Sequence, residues 1–140
     1  MIQAIDFSQA KALIEKGTGV LALGFPSCGR CQEAFPVLDQ VAADLNADNV
    51  YYLNVRGLTR GEEDTEYEQI VELLKDYMGF NDDGEQVIYV PDVFAIKDGE
   101  VVTHHLGTTD DHDAYERQMT EAEVEELTGV YMELFSMINN

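Results

Sequence analysis

Two cysteines separated by only two residues lie where an apolar run gives way to a helical pattern. The run covers residues 20–25, and the motif Cys28-Gly29-Arg30-Cys31 begins three residues after it. A strand that ends here and leads into a helix places Cys28 at the helix N-terminus, where free backbone N–H groups and the helix dipole favour a thiolate. The two intervening residues let Cys31 reach back to Cys28, so that a disulfide can close and reopen with modest strain. The motif therefore predicts reversible dithiol–disulfide chemistry.

The number of cysteines supports the same interpretation. The chain has two cysteines, both in the motif, whereas a secreted domain stabilised by disulfides needs more cysteines at wider spacing. Zinc is the weaker alternative, because two thiolates need further ligands. The three histidines, His104, His105 and His112, lack zinc spacing, and neighbours on a strand point to opposite faces. We therefore predict no metal and no cofactor. The other alternative is that the two cysteines serve only as small, buried hydrophobic residues of the core.

Charge and hydropathy limit the classes of partner and location. The chain has 28 acidic and 8 basic residues, a formal charge of −20. That charge repels nucleic acid and anionic membrane surfaces, so we expect neither as a partner. Solubility is the simpler explanation of the charge, and selection of a basic partner protein is the alternative. The apolar stretches are strand-sized, and residues 1–6 lack the basic region and apolar core of a signal peptide, which predicts a cytoplasmic protein.

The hydrophobic periodicity predicts one α/β domain over residues 1–140, with the element order β-α-β-α-β-α-β-β-α. Capping boxes are expected at Asp6 with Gln9 and at Thr120 with Glu123. The expected strands cover residues 1–5, 20–25, 50–55, 93–96 and 101–104, with an apolar run at 87–90 that leads into Pro91 and a tight hairpin turn at 97–100.

The remaining segments are assigned by the same patterns. The acidic stretch Glu62-Glu63-Asp64 is expected to open the third helix, and residues 81–84 to form a turn. Pro36 falls inside the second helix and is expected to kink it. The last helix is expected to pack an apolar stripe that includes Leu127 and Tyr131 onto the sheet. Residues 110–113 are expected to form a solvated loop.

The chain resembles the thioredoxin superfamily over nearly its whole length. Cys28-Gly29-Arg30-Cys31 stands where the family has Cys-Gly-Pro-Cys, and Pro36 matches the proline that kinks the helix after the dithiol. Val90-Pro91 resembles the family's cis-proline site, which faces the dithiol; a plain strand-start proline is the alternative. The hairpin and Gly107 also agree in register. The resemblance implies a thioredoxin fold: a single mixed β-sheet flanked by helices, with a C-terminal β-hairpin and helix.

Within the superfamily, the lead-in at residues 24–28 is similar to a bacterial branch known as bacteriocin transport accessory proteins. Two other positions depart from true thioredoxins: Ser27 stands in place of a tryptophan, and Ala22 in place of a buried aspartate that assists proton transfer to the second cysteine. Water or another carboxylate would then have to assist proton transfer at Cys31. Glu33 is one candidate, although an exposed helix-surface glutamate is the preferred interpretation.

The resemblance implies a thioredoxin-like thiol–disulfide oxidoreductase that acts on protein or peptide disulfides without a cofactor. Cys28 would attack and Cys31 would resolve, while Gly29 and Arg30 tune the dithiol. Val90 and Pro91 would bind an extended segment of the substrate.

A reductase or a low-molecular-weight thiol would supply the electrons. Because Arg30 replaces the family's proline, we also expect a potential less reducing than that of a thioredoxin. The rival hypothesis is a non-catalytic thioredoxin-fold module that binds a peptide or serves as an accessory protein.

Overall fold

The structure is a computed structural model, and it describes residues 2–61, 64–109 and 118–138. Its strands are β1 (Gln3–Ala4), β2 (Gly19–Gly24), β3 (Val50–Asn54), β4 (Gly79–Phe80), β5 (Gln86–Val87), β6 (Asp92–Lys97) and β7 (Glu100–Leu106). Its helices are α1 (Phe7–Lys16), α2 (Gly29–Asp44), α3 (Glu66–Leu73) and α4 (Glu121–Ser136). The predicted order of elements is confirmed, with the short hairpin β4–β5 added after α3.

Five of the strands form a central mixed sheet in the order β1-β3-β2-β6-β7. The first three are parallel to one another, whereas β6 runs antiparallel to both β2 and β7. All six residues of β2 are buried, as expected for a central strand with helices on both faces. The expected mixed sheet with a C-terminal hairpin and helix is therefore confirmed.

Each face of the sheet carries its own hydrophobic core. Alternate residues of β2 and β6 point to opposite faces, so that Ala22 and Val93 belong to one core and Leu23 and Phe94 to the other. The first, here the α2/α4 core, consists of Val20, Ala22, Ala34, Val37, Leu38, Val41, Ala42, Val50, Val93, Ala95, Leu127, Tyr131, Leu134, Phe135 and Ile138. The second, the α1/α3 core, consists of Ala10, Leu13, Ile14, Leu21, Leu23, Leu53, Val55, Leu58, Ile70, Leu74, Met78, Phe94 and Ile96.

Both predicted capping boxes are confirmed. The Gln9 backbone N–H donates to Asp6 Oδ1 at 2.8 Å, and the Asp6 N–H donates to Gln9 Oε1 at 3.0 Å. At the start of α4, the Glu123 N–H donates to Thr120 Oγ1 at 3.2 Å, and the reciprocal bond is 3.0 Å. These bonds satisfy N–H groups that have no partner inside the helix and so fix where α1 and α4 begin.

The start of the third helix differs from the prediction. Helix α3 begins at Glu66, not at the acidic stretch, of which Glu62 and Glu63 lie outside the described residues. Asp64 has a φ of 59°, in the left-handed region, so it belongs to a turn and cannot continue into the helix. Thr59 and Glu66 close this turn, each donating its N–H to the other's side chain at 3.0 Å.

The apolar run at residues 87–90 does not continue as a strand up to Pro91. Only Val87 is paired, in the hairpin β4–β5, while residues 88–90 form no strand. The predicted turn at residues 81–84 joins these two strands, and the Asn81 side chain accepts the N–H groups of Asp83 and Glu85, both at 3.0 Å. The predicted tight turn of the β6–β7 hairpin is confirmed, because Asp98 and Gly99 have positive φ values of 52° and 77°.

None of the helices within the described ranges is long and apolar enough to cross a membrane.

Candidate functional site

The two cysteines lie at the N-terminal end of α2, next to the end of β2. Cys28 is the N-cap residue, with an extended backbone (φ −78°, ψ 116°), and Cys31 lies in the first turn. The Cys28 N–H donates to the Phe25 carbonyl at 3.1 Å, which closes the turn between β2 and α2. The Cys31 backbone N–H donates to Cys28 Sγ at 3.3 Å. The sulfur of Cys28 thus accepts one of the N–H groups that the helix leaves free, as its position in the sequence predicted.

Both cysteines are free thiols and both are buried, Cys28 to 5% exposure and Cys31 to 2%. Burial raises the pKa of the Cys31 thiol to about 12, and its side-chain hydrogen bond with Cys28 contributes to the same rise. Cys31 therefore holds its proton at neutral pH. The two sulfurs have distinct environments: that of Cys28 accepts a helix N–H, and that of Cys31 faces the protein interior.

The segment before β6 lies against the dithiol. The peptide bond between Val90 and Pro91 is cis, and the Cys28 thiol faces the Val90 carbonyl oxygen at 4.0 Å. The Pro91 carbonyl accepts the Gly107 N–H at 2.7 Å, so the loop after β7 is joined to the same segment. The fold therefore brings Val90 and Pro91 to Cys28 from about sixty residues along the chain.

Gly24, the last residue of β2, leaves the space that the dithiol occupies. A Cβ at this position would lie 2.7 Å from the Phe35 ring and 2.9 Å from Cys31 Sγ. Real Cβ atoms do not approach other atoms so closely, so any larger residue would displace the ring or the sulfur. Gly24 thus fixes how closely α2 packs against the end of β2.

Arg56 is a residue of this site that the sequence pattern did not indicate. Its guanidinium lies over the Phe25 ring at 3.9 Å from the centroid, and its Nη1 donates to Ser27 Oγ at 3.5 Å. The cation–π contact and the hydrogen bond together hold the Arg56 side chain beside the loop that precedes Cys28. Arg30, whose position within the motif was predicted, is exposed. Two cationic side chains, those of Arg30 and Arg56, thus lie near the dithiol, although the protein as a whole is strongly acidic.

Asp92 and His104 form a second pair that the sequence did not indicate. Asp92 follows Pro91 and is only 2% exposed, and its Oδ1 lies 2.8 Å from His104 Nδ1. Burial raises the pKa of Asp92, while the hydrogen bond to Asp92 raises the pKa of His104. His104 stacks on Phe94, whereas His105 contacts the ring of Tyr131. The two histidines thus lie on opposite faces, as predicted.

The described residues contain no group of three or more histidine, cysteine, aspartate or glutamate side chains that could hold a metal ion. His112 and the predicted loop at residues 110–113 lie outside the described residues.

The positions that depart from the thioredoxin pattern have different environments. Ala22 is fully buried, and Ser27 is exposed beside Arg56. Glu33, expected on the exposed surface of the helix, is half-buried instead. It comes two residues after Cys31, roughly 200° around the helix, so its side chain leaves α2 on a different side from the sulfur.

Several solved structures share this arrangement of elements, among them thioredoxins from three organisms. The protein from Plasmodium falciparum superposes with a TM-score of 0.54 at 14% identity, over 94% of this chain and 99% of that one. Thioredoxin from Malassezia sympodialis superposes with a TM-score of 0.53 at 17% sequence identity, over 91% of each chain. Thioredoxin from Fasciola hepatica superposes with a TM-score of 0.52 at 15% sequence identity, over 92% of this chain and 98% of that one.

No family model and no curated protein matches the sequence. The resemblance to the bacteriocin transport accessory branch stays a prediction. The superpositions extend over more than nine-tenths of the chain, and the chain has the thioredoxin fold.

Proposed function

We propose that the protein is a thiol–disulfide oxidoreductase that acts on disulfides of proteins or peptides. The observation that carries this proposal is the hydrogen bond from the Cys31 N–H to Cys28 Sγ at 3.3 Å, at the N-cap of α2. A sulfur that accepts a helix N–H is stabilised as a thiolate, which is the nucleophilic form. The Cys31 side chain hydrogen-bonds to that of Cys28, so we expect a disulfide to close between them with modest strain.

The reaction transfers two electrons to the partner. The Cys28 thiolate attacks one sulfur of the partner disulfide; a Cys28–partner bond forms, the partner S–S bond breaks, and the other partner sulfur leaves as a thiolate. Cys31 then loses its proton and attacks Cys28 Sγ. The Cys28–Cys31 disulfide forms, the mixed disulfide breaks, and the second partner thiolate leaves. The proton of Cys31 passes through solvent to a released partner thiolate.

The neighbouring residues have supporting roles in this proposal. Gly29 and Arg30 separate the cysteines, and the charge of Arg30 favours a thiolate at Cys28. The segment at Val90 and Pro91 would bind an extended part of the partner, because the Val90 carbonyl lies beside the attacking sulfur.

A reductase or a low-molecular-weight thiol would return the protein to the dithiol state. The proposed setting is the reducing cytosol of a bacterial cell. This suits a chain whose two cysteines both belong to the motif.

A second candidate function is a peptide-binding or accessory module in which the dithiol does no chemistry. The observation that favours it is the burial of both cysteines, which leaves Cys28 only 5% exposed. A partner disulfide must then approach closely, or the Val90–Pro91 segment must move, before the sulfurs meet.

The two functions separate in one experiment. The reduced protein is mixed with a disulfide-bonded test peptide, and the appearance of reduced peptide is followed by mass spectrometry. The proposal predicts stoichiometric reduction by the wild-type protein and none by Cys28→Ser, with the Cys28→Ser circular dichroism spectrum unchanged. No reduction by either protein, or equal background reduction with both, would favour the module.

A further inference from the structure

The hydroxyl of Tyr131 is a polar group buried in the α2/α4 core. Tyr131 is 0% exposed, and its Oη has no hydrogen-bond partner among the described residues. A buried hydroxyl without a partner costs stability, and phenylalanine would fill the same volume without that cost. Packing in the α2/α4 core therefore explains the ring of Tyr131 but not its oxygen.

Tyr131 lies in the same layer as the Cys31 sulfur. It packs in one core with Ala22 and with Ala34, which is one helical turn beyond Cys31 on the same face of α2. Gly24 and Ala22 share a face of β2, and a Cβ on Gly24 would lie 2.9 Å from Cys31 Sγ. These two small residues of β2 thus border the layer that holds both the sulfur and the phenol.

The electrostatics of this layer agree with its geometry. Burial raises the pKa of Tyr131, and the charge of a Cys31 thiolate raises it further, followed by that of Asp92. The phenol therefore keeps its proton, which makes it a hydrogen-bond donor and not a base. Among the described residues, the titratable groups around the layer are Cys28 at the N-cap of α2, Cys31 within α2, Tyr52 from β3, Asp92 from β6, His105 from β7 and Tyr131 itself from α4.

We propose that the Tyr131 hydroxyl donates a hydrogen bond to the Cys31 sulfur when that sulfur becomes a thiolate. In the dithiol form, Cys31 hydrogen-bonds to Cys28 instead, and the phenol is left without a partner among the described residues. The bond would then form only as Cys31 is deprotonated, and it would assist the step in which Cys31 attacks the mixed disulfide. The proton of Cys31 still passes to the released partner thiolate, and Tyr131 keeps its own.

Two other candidates for this role, the carboxylates of Glu33 and Asp92, do not fit it. Glu33 leaves α2 on a different side from Cys31. Asp92 has the same parity on β6 as Phe94, which faces the α1/α3 core, and its carboxylate is already bound by His104 at 2.8 Å. In this proposal, Tyr131 assists Cys31 in place of the buried aspartate that the resemblance implies, since Ala22 stands at that position here. This inference rests on the proposed function only for its catalytic consequence.

The test measures the ionisation of Cys31 in a protein that has no second thiol. In Cys28→Ser, the rate of alkylation of Cys31 is followed against pH, with and without the additional change Tyr131→Phe. The midpoint of this profile reports the thiolate and does not depend on access to the sulfur. We expect Tyr131→Phe to move the midpoint to higher pH and to slow resolution of a preformed mixed disulfide at pH 7 roughly tenfold in the protein with both cysteines.

Tyr52→Phe is the matched control, because Tyr52 is the cross-strand neighbour of Ala22 and its pKa is also raised by charge on Cys31, after burial. It should leave the midpoint and the resolution rate unchanged. A Tyr131 that only fills space in the core would instead give Tyr131→Phe an unchanged midpoint, with stability unchanged or higher, and that result would overturn the inference. So would a shifted midpoint in Tyr52→Phe.

The inference and the proposed function fail separately. If Tyr131→Phe shifts the midpoint but the wild-type protein reduces no disulfide, the hydrogen bond stands and the oxidoreductase proposal fails. If the wild-type protein reduces the test peptide and Tyr131→Phe changes neither midpoint nor resolution rate, the oxidoreductase proposal stands and the role of Tyr131 is contradicted.

Discussion

The buried Asp92, directly after the Val90–Pro91 segment, pairs with the half-buried His104, with Oδ1 and Nδ1 2.8 Å apart. The pair joins the first residue of β6 to a residue of β7, and the imidazole ring is stacked on Phe94 and lies edge-on to Tyr77. Hydrogen bonds to charged groups contribute more to stability than neutral ones when they are shielded from water. This pair therefore helps hold the start of β6 against β7, next to the Val90–Pro91 segment.

The stability of the protein should fall as the pH rises above about 6.5, the ordinary pKa of histidine. The hydrogen bond to Asp92 raises the pKa of His104, so the folded state holds this proton more tightly than the unfolded chain. That contribution is complete below the unfolded pKa and is lost as the pH rises through the folded one. The raised pKa of Asp92 has the same sign at lower pH.

Urea denaturation at pH 5.5, 7.0 and 8.5 measures this dependence. The wild-type protein should lose free energy of unfolding across that range, whereas His104→Gln should lose less. Parallel slopes in the two proteins would show that the pair does not carry the pH dependence.

Cys31→Ser should trap the partner on Cys28. Without the resolving thiol, the first attack still forms the mixed disulfide, but nothing inside the protein displaces it. Mass spectrometry after incubation with a disulfide-bonded peptide should therefore detect a covalent adduct at Cys28. Cys28→Ser is the matched variant and should give no adduct. An adduct at Cys31 in Cys28→Ser, formed at the same rate, would contradict the assignment of Cys28 as the attacking thiol.

Gly24→Ala should destabilise the protein by about 1–3 kcal/mol, the usual cost of overpacking a well-packed core. The new methyl would meet the Phe35 ring and Cys31 Sγ at less than van der Waals distance. Gly129→Ala is the matched control, since Gly129 lies in α4 with nothing within 4 Å of an added Cβ. There alanine should stabilise the helix by up to about 1 kcal/mol. Urea midpoints of both variants check this, and equal effects would contradict the packing described for Gly24.

Arg30→Pro should make the redox potential of the dithiol more negative. We expect the guanidinium to favour the thiolate and hence the reduced protein, so its removal should favour the disulfide. Each 1.4 kcal/mol of lost preference corresponds to about 30 mV for this two-electron couple. Equilibration with glutathione buffers gives both potentials, and Arg30→Gln separates the charge from the shape of the side chain. A Gln variant with the wild-type potential would remove charge as the cause.

The sequence predicted those parts of the site that local patterns determine. Cys28 lies at the helix N-cap because a buried strand ends just before it, and the two capping boxes follow from residues three apart. Arg56 and His104 were not predicted as site residues, because their partners are brought to them only by the pairing of strands.

Tyr131 was predicted, but only as a residue of the core. Periodicity identifies which face of α4 is buried, and nothing in it distinguishes a phenol from a phenyl ring. The third helix was placed too early because the acidic residues suited a helix N-terminus, whereas the left-handed φ of Asp64 depends on the turn closed by Thr59 and Glu66.

The fraction of oxidised Cys28–Cys31 across a series of glutathione redox buffers, determined by alkylation of the remaining thiols, shows whether the pair is a working redox couple. We predict a single two-electron transition with a midpoint less reducing than the value of about −270 mV typical of thioredoxin. No transition within the cytosolic range, or thiols that resist alkylation in the folded protein, would contradict the oxidoreductase and leave the peptide-binding module.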